Sequence, residues 1–507
     1  MFAKDFLWGT STAGFQFEMG DPTRKSLDPN TDWFKWVHDA ENIRKRVVSG
    51  DFPEDGINYW ELYNSDHDLA KGLGMNAFRL GIEWSRIFPA STTGFDVDVE
   101  IASDGGVARV DLDLSDLQKL ESLANVEALK HYELIIDDLR EKGLKVIVCL
   151  NHFTLPLWIH DPIAARDSRL RKGPRGWYDR ATVVEFAKYA AFLAWKLGDR
   201  VDMWATINEP MVVAEIGYLL GVEGFPPGIR YDLSAFKRVA KNLATAHSRA
   251  FDMIKKFDTH RSDADSPHPA WVGIIHNVFP VAPKETSNEK DVKAAQLLDR
   301  MHNTFIVEAV TSGWLEADFN GIRDDVRKYL GDRLDWLGVN YYTRIVVRGQ
   351  SSLLARIFAG LPVMPELVPG YGYACKRNDK SLDGRPTSDF GQEFYPEGIG
   401  EILVNMSKYG RPMYVTENGT ADDRDELRPR YLLELLKIME TVIEEKRLDV
   451  RAYLHWALTD NYEWAEGFRM HFGLFKVDLE TKRRIPRGSA DIFRRIVESG
   501  GTDGIQV

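Results

Sequence analysis

Residues 128–153, ALKHYELIIDDLREKGLKVIVCLNHF, contain the unit from which the rest of the chain can be read. In the first part, Leu129, Ile135, Ile136 and Leu139 recur at helical spacing, so one face of a helix is apolar. Gly143 then offers a residue that accepts the left-handed conformation in which helices end. The run Leu144–Leu150 follows at once. It is rich in β-branched residues and apolar at successive positions, which requires burial of both faces, as in a parallel sheet. It ends on Asn151 and His152, polar groups that a core does not absorb without partners.

The same order of helix, glycine and strand leads into Ala77–Glu83, behind Gly72 and Gly74, and into Val201–Glu209, behind Gly198. Further strands are expected at Phe6–Thr10, Val272–Asn277, Trp336–Tyr342, Met413–Asn418 and Ala452–Trp456. About eight strands alternating with helices predict an α/β fold, a (β/α)8 TIM barrel, with residues 1–507 as a single domain. An open, doubly wound sheet is the alternative; no glycine-rich phosphate loop follows an early strand to support it. The expected strands end in, or just before, Gln16, Glu83, Asn151–His152, Asn208–Glu209, Asn277, Asn340–Tyr342, Glu417–Asn418 and His455–Trp456. A barrel brings such ends together at its C-terminal face. Ala90–Asn125, Arg261–Ala270 and Val347–Gln392 read as insertions, expected at that face and around the entrance to the site.

The 507 residues carry a net charge of −12, which argues against nucleic acid or an anionic membrane surface as partner. Two cysteines, Cys149 and Cys375, form no disulfide framework. The N-terminal stretch lacks the basic start and apolar run of a secretory signal, and no segment approaches the ~18 apolar residues of a membrane span. A cytoplasmic protein is expected. His131, His247 and His302 fall within helical patterns and read as structural or exposed rather than as ligands, and no zinc-like spacing of Cys and His occurs, so neither metal nor cofactor is expected.

Glu209 in TINEP and Glu417 in YVTENG each stand at a strand end. Alone, the first could cap a helix and the second could belong to an Asn-Gly turn. Together, on separate strands, they supply the paired carboxyls of glycosidic cleavage: one protonates the departing oxygen, the other attacks or stabilises the anomeric carbon. The acid needs a raised pKa, which a neighbouring negative charge can give, and Arg79 could keep its partner ionised.

The set FQFE, NAFRLGIEWSRIFP, LNHFTLPLW, TINEP, NYY, YVTENG and LHWALTDNYEWAEGF resembles glycoside hydrolase family 1, from about Phe6 to Arg487. WIHDP, the stretch Asp96–Asn125 and GYGYACK are similar to its archaeal β-glycosidase and β-mannosidase branch. The resemblance implies a retaining, exo-acting β-glycosidase on small glucosides, galactosides or mannosides, with transglycosylation as a side activity. It implies Glu209 as acid/base and Glu417 as nucleophile, with Arg79 and Tyr342 holding the latter. It places Asn208 on the sugar 2-hydroxyl, Asn340 and Phe472 beside the same subsite, and Gln16, His152, Trp456, Glu463 and Trp464 on the remaining hydroxyls. Phe153 stands where many relatives have tryptophan, as in archaeal β-mannosidases. Glu463 and Glu466, with no lysine nearby, argue for unphosphorylated sugars. The branch also implies a thermostable homo-oligomer, a tetramer. A catalytically silent sugar binder and a metal-dependent hydrolase on the same barrel are the competing classes.

Overall fold

The computed structural model describes residues 1–220, 224–262, 269–316, 326–351 and 363–507. Eight parallel strands close into a barrel: β1 Leu7–Ser11, β2 Ala77–Gly81, β3 Lys145–Asn151, β4 Met203–Asn208, β5 Val272–Asn277, β6 Trp336–Asn340, β7 Met413–Asn418 and β8 Val450–His455. Each pairs with its neighbour in the chain, and β1 closes the ring by pairing with both β2 and β8. The fold is the expected (β/α)8 barrel, with strand bounds displaced by up to two residues.

The unit at 128–153 folds for the reasons its sequence gives. The Asn125 side chain accepts from the Ala128 amide and caps the helix Val126–Glu141. Leu129, Ile135, Ile136 and Leu139 are buried, while Leu134 on the opposite side is exposed. Gly143 is left-handed, at φ 73°, and β3 then runs into the core with six of its seven residues buried.

Inside the barrel, Ile147, Cys149, Met203, Ala205, Ile275, Trp336 and Tyr414 pack with Ala77, Ala452 and Leu454. Gly273 makes room for this layer. A Cβ there would stand 2.3 Å from the Trp336 ring and 2.6 Å from its carbonyl oxygen. Gly273→Ala is therefore expected to cost about 1–3 kcal/mol through overpacking, read as a lowered thermal midpoint. An unchanged midpoint would show that the Trp336 ring can yield.

The insertions are not all where they were expected. Val347–Gln392 does reach the C-terminal face, where Tyr373 packs on Phe279 just beyond β5. Arg261–Ala270 lies between a helix and the start of β5, so its described part is at the opposite end: Ser262 donates to Val201 O and Asp202 Oδ1, beside the start of β4. Residues 263–268 of it lie outside the described residues. Ala90–Asn125 leaves the C-terminal face but runs down the flank. Its hairpin, Asp98–Ile101 with Val107–Asp111, packs against the helices Ala181–Leu197 and Leu233–Phe257. Buried Arg249 holds it there through Val107 O and Ala108 O. It braces the outer wall rather than the entrance.

Among the described residues no helix is long and apolar enough to cross a membrane, and no group of three His, Cys, Asp or Glu could hold a metal ion.

Candidate active site

The strand ends converge. Asn208 ends β4 and Glu209 follows in the left-handed conformation, at φ 49°, with its amide bonded to Ile275 O on β5. Pro210 then starts the helix Pro210–Tyr218, where its missing N–H costs nothing. This sharp change of direction leaves the Glu209 carboxyl at the end of the barrel, 92% buried. Glu417 lies across the ring on β7 and is similarly buried.

One hydrogen-bond network connects the two carboxyls. Asn340 Nδ2 donates to Glu209 Oε1 at 2.8 Å and to Asn208 Oδ1 at 3.2 Å. Arg79 donates to the same Asn208 oxygen at 3.3 Å and, through its other terminal nitrogen, to Glu417 Oε1 at 2.5 Å. Tyr342 O–H donates to Glu417 Oε2 at 2.7 Å. The Glu417 carboxylate thus has a guanidinium on one oxygen and a phenol on the other.

Glu209 is in the opposite condition. Burial, then the charge of Glu417, push its pKa up to about 8. Asn340, Arg79 and Asn277 oppose that rise without cancelling it. The environments of the two carboxyls therefore differ in the sense that separates an acid from a nucleophile.

The remaining expected residues line the same space. His152, at the end of β3, receives an Arg79 N–H on Nδ1 at 3.3 Å, and burial with the Arg79 charge holds the ring neutral. It stacks on Trp456 at 5.8 Å and on Trp464 at 5.9 Å. Gln16 Nε2 donates to Asn461 Oδ1 at 3.1 Å and Glu463 Oε2 at 3.2 Å, while Gln16 Oε1 is buried without a partner. An acceptor left open in this way suits a ligand hydroxyl. Glu463 is pushed up to about 8 by burial and by the charges of Glu417 and Glu209. Phe472 packs edge-on to Tyr342 at 6.2 Å, and Phe153 meets Phe225 and Trp464, each at 5.1 Å. Glu466 belongs elsewhere: it pairs with Arg377 of the long insertion at 2.6 Å and is half-exposed, so only Glu463 bears on the pocket.

Three residues in the site had no role assigned from sequence. Asn277 ends β5; its side chain donates to Asn340 O at 3.5 Å and opposes the rise in pKa of Glu209 and of Tyr373. Tyr373 comes from the insertion, whose lack of periodicity hides it. Glu83, past the end of β2, accepts from the Phe15 amide at 2.9 Å and from Thr154 Oγ1 at 2.6 Å. It lashes the segment carrying Gln16 to the one carrying His152.

Two opposed carboxyls, an acceptor-rich pocket and aromatic faces at the C-terminal end of a barrel are the equipment of a glycoside hydrolase. The sequence model of glycosyl hydrolase family 1 matches residues 1–100 and 120–502. A β-galactosidase of Pyrococcus woesei is 50% identical over 505 residues, 99% of this chain and 98% of that protein. The crystal structure of the β-glycosidase from the hyperthermophile Thermosphaera aggregans superposes with a TM-score of 0.89 at 43% identity, covering 99% of this chain and 98% of that one. A β-glucosidase mutant derived from a hyperthermophilic tetrameric structure gives a TM-score of 0.84 at 42% identity, over 98% and 95% of the two chains. The chain belongs to glycosyl hydrolase family 1. The unmatched residues are 101–119, which cover most of the hairpin and much of the helix Leu114–Glu121 on the barrel flank, and 503–507.

Proposed function

We propose that the whole chain acts as one catalytic unit, a retaining β-glycosidase that removes a terminal β-linked sugar from small glycosides. The observation that carries this reading is the pairing of Glu417 with Arg79 and Tyr342, while Glu209, in the same network, has its pKa pushed up by burial and the charge of Glu417. In the first step a Glu417 oxygen attacks the anomeric carbon. The bond to the aglycone breaks, and Glu209 delivers its proton to the leaving oxygen. In the second step the Glu209 carboxylate takes a proton from water, whose oxygen attacks the same carbon and releases Glu417. Two inversions give net retention. A sugar hydroxyl in place of water gives transglycosylation.

Asn208, which accepts from Arg79 and Asn340, meets the 2-hydroxyl in this reading. Gln16, His152, Glu463, Trp456 and Trp464 take the other hydroxyls and the C–H face, with Asn340 and Phe472 completing the subsite. The paired relatives named for galactosides and glucosides support those two sugars, while Phe153, which brings no N–H donor, bears on the mannoside. A cytoplasmic homotetramer belongs to the same proposal, supported by the tetrameric origin of one similar structure.

The test is kcat/KM for p-nitrophenyl β-glucoside, β-galactoside and β-mannoside across pH. Turnover of at least one is expected, falling as pH rises through about 8, because Glu209 must hold its proton and loses it there. The sign follows from the raised pKa: the active, protonated form is present below that value and lost above it. Inertness toward all three sugars would favour a silent binder. Activity that disappears with a chelator would favour a metal-dependent hydrolase.

A further inference from the structure

The acid/base carboxyl is supported from behind by a buried histidine that the reaction does not use. The segment Arg300–Thr304 is a π-turn between the helices Glu289–Asp299 and Phe305–Ser312. Such widened turns are uncommon and frequently accompany functional sites. His302 lies in its middle, 1% exposed. Its Nδ1 is 2.8 Å from Glu215 Oε2 and its Nε2 is 2.9 Å from the carbonyl oxygen of Asn277. The ring stacks on Phe279 at 4.1 Å. Asn303, the next residue, bonds both the amide and the carbonyl of Phe279.

Both residues that the His302 ring nitrogens meet lead to Glu209. Glu215 is on the helix Pro210–Tyr218, which Glu209 opens. Asn277 ends β5, and its side chain donates to the carbonyl of Asn340 at 3.5 Å, whose own amide donates to Glu209. A neutral imidazole offers a single N–H, yet both ring nitrogens face acceptors, a carboxylate and a carbonyl. The ring therefore spans the two elements, with one nitrogen on the helix carboxyl and the other on the strand-end carbonyl.

We propose that His302 is a positioning residue for the acid/base. It ties the helix that starts at Glu209 to the strand end whose amide faces that carboxyl, and so fixes where the proton is delivered. The inference rests on the assignment of Glu209 as acid/base. A histidine that merely filled the core would contribute to stability and to nothing that distinguishes one leaving group from another.

The test compares His302→Phe and His302→Gln in the full chain, on an alkyl or phenyl β-glycoside and on the 2,4-dinitrophenyl β-glycoside of the same sugar. His302→Phe is expected to lower kcat/KM for the poor leaving group by about 10²-fold, since a displaced catalytic group costs on that order. The dinitrophenyl substrate, which departs without a proton, should stay within about twofold, because protonation is the contribution lost. His302→Gln keeps an N–H donor and should recover most of the loss; if the Phe variant does not fold, Glu215→Ala, which cuts the same tie from the helix side, takes its place in the comparison. Equal losses on the two substrates, or a Gln variant as impaired as Phe on the poor leaving group, overturn the proposal. Glu209→Ala serves as control. If it too fails to separate the substrates, the acid assignment falls and the proposal with it; if it separates them and the His302 variants do not, only the positioning role is lost.

Discussion

Glu417→Ala is expected to lower kcat on aryl β-glycosides by roughly 10⁴-fold or more, the scale on which removal of a nucleophile that acts as one unit with its partners is felt. The geometry explains the size. Arg79 and Tyr342 both aim at the Glu417 oxygens, at 2.5 and 2.7 Å, and no other carboxylate in the network has that pairing. Truncation removes the attacking atom and leaves an arginine, 0% exposed, without its counter-charge. The same vacancy predicts rescue. Azide or formate entering beside Arg79 has an anion's reason to bind and stands on the face from which Glu417 attacked. It forms a bond to the anomeric carbon as the aglycone leaves, and a single displacement gives the α-configured product. Restored turnover with an α-glycosyl azide, identified by NMR, is the expected result. Wild-type rates in the variant, or a β-configured azide, would remove Glu417 from the role. A thermal melt of the variant separates this from loss of fold.

The barrel and the chemical ends of its strands were legible because parallel strands buried on both faces leave an unmistakable apolar run. Leu144 begins the clearest such run, and the polar Asn151 and His152 that end it mark the C-terminal face. The insertions were harder for a physical reason. A loop is placed by which end of a strand it joins, not by its own composition. Arg261–Ala270, polar and proline-containing, looked like an entrance loop, yet it precedes β5 and its described residues sit at the floor; the order of elements held that information. Ala90–Asn125 does start at the mouth, but Arg249 captures its hairpin on the flank through backbone carbonyls, a contact with no sequence signature. The network behind the catalytic pair shows the same limit. Asn277 was visible as a strand end, but its role depends on His302, Glu215 and Tyr373, which come from three other segments. His302 read as structural or exposed in a helical region; it is buried, the turn that holds it is a π-turn, and its partners lead to Glu209. Periodicity reports which face a residue occupies; it does not report whom the residue meets.

Glu209→Ala separates the two steps of the reaction, and its effect depends on the substrate. For an alkyl or phenyl β-glycoside the leaving oxygen must be protonated as the bond breaks. Loss of a general acid is expected to cost on the order of 10²–10⁴-fold in kcat/KM. For a 2,4-dinitrophenyl β-glycoside no proton is needed, and kcat/KM should stay near the wild-type value. The second step still lacks its base, since no carboxylate remains to take the proton from water, so kcat falls and the glycosyl-enzyme accumulates as a burst of released phenol. Azide attacks without surrendering a proton. Added to this variant it should raise kcat and give the β-configured azide, formed on the intermediate rather than directly and therefore opposite in configuration to the product from Glu417→Ala. That contrast is the sharpest consequence of the arrangement in which Asn340 and Glu417 surround a protonated Glu209. If both substrates slow equally in Glu209→Ala, or if the two variants give azides of the same configuration, the division of labour between these carboxyls is wrong, whatever the fold.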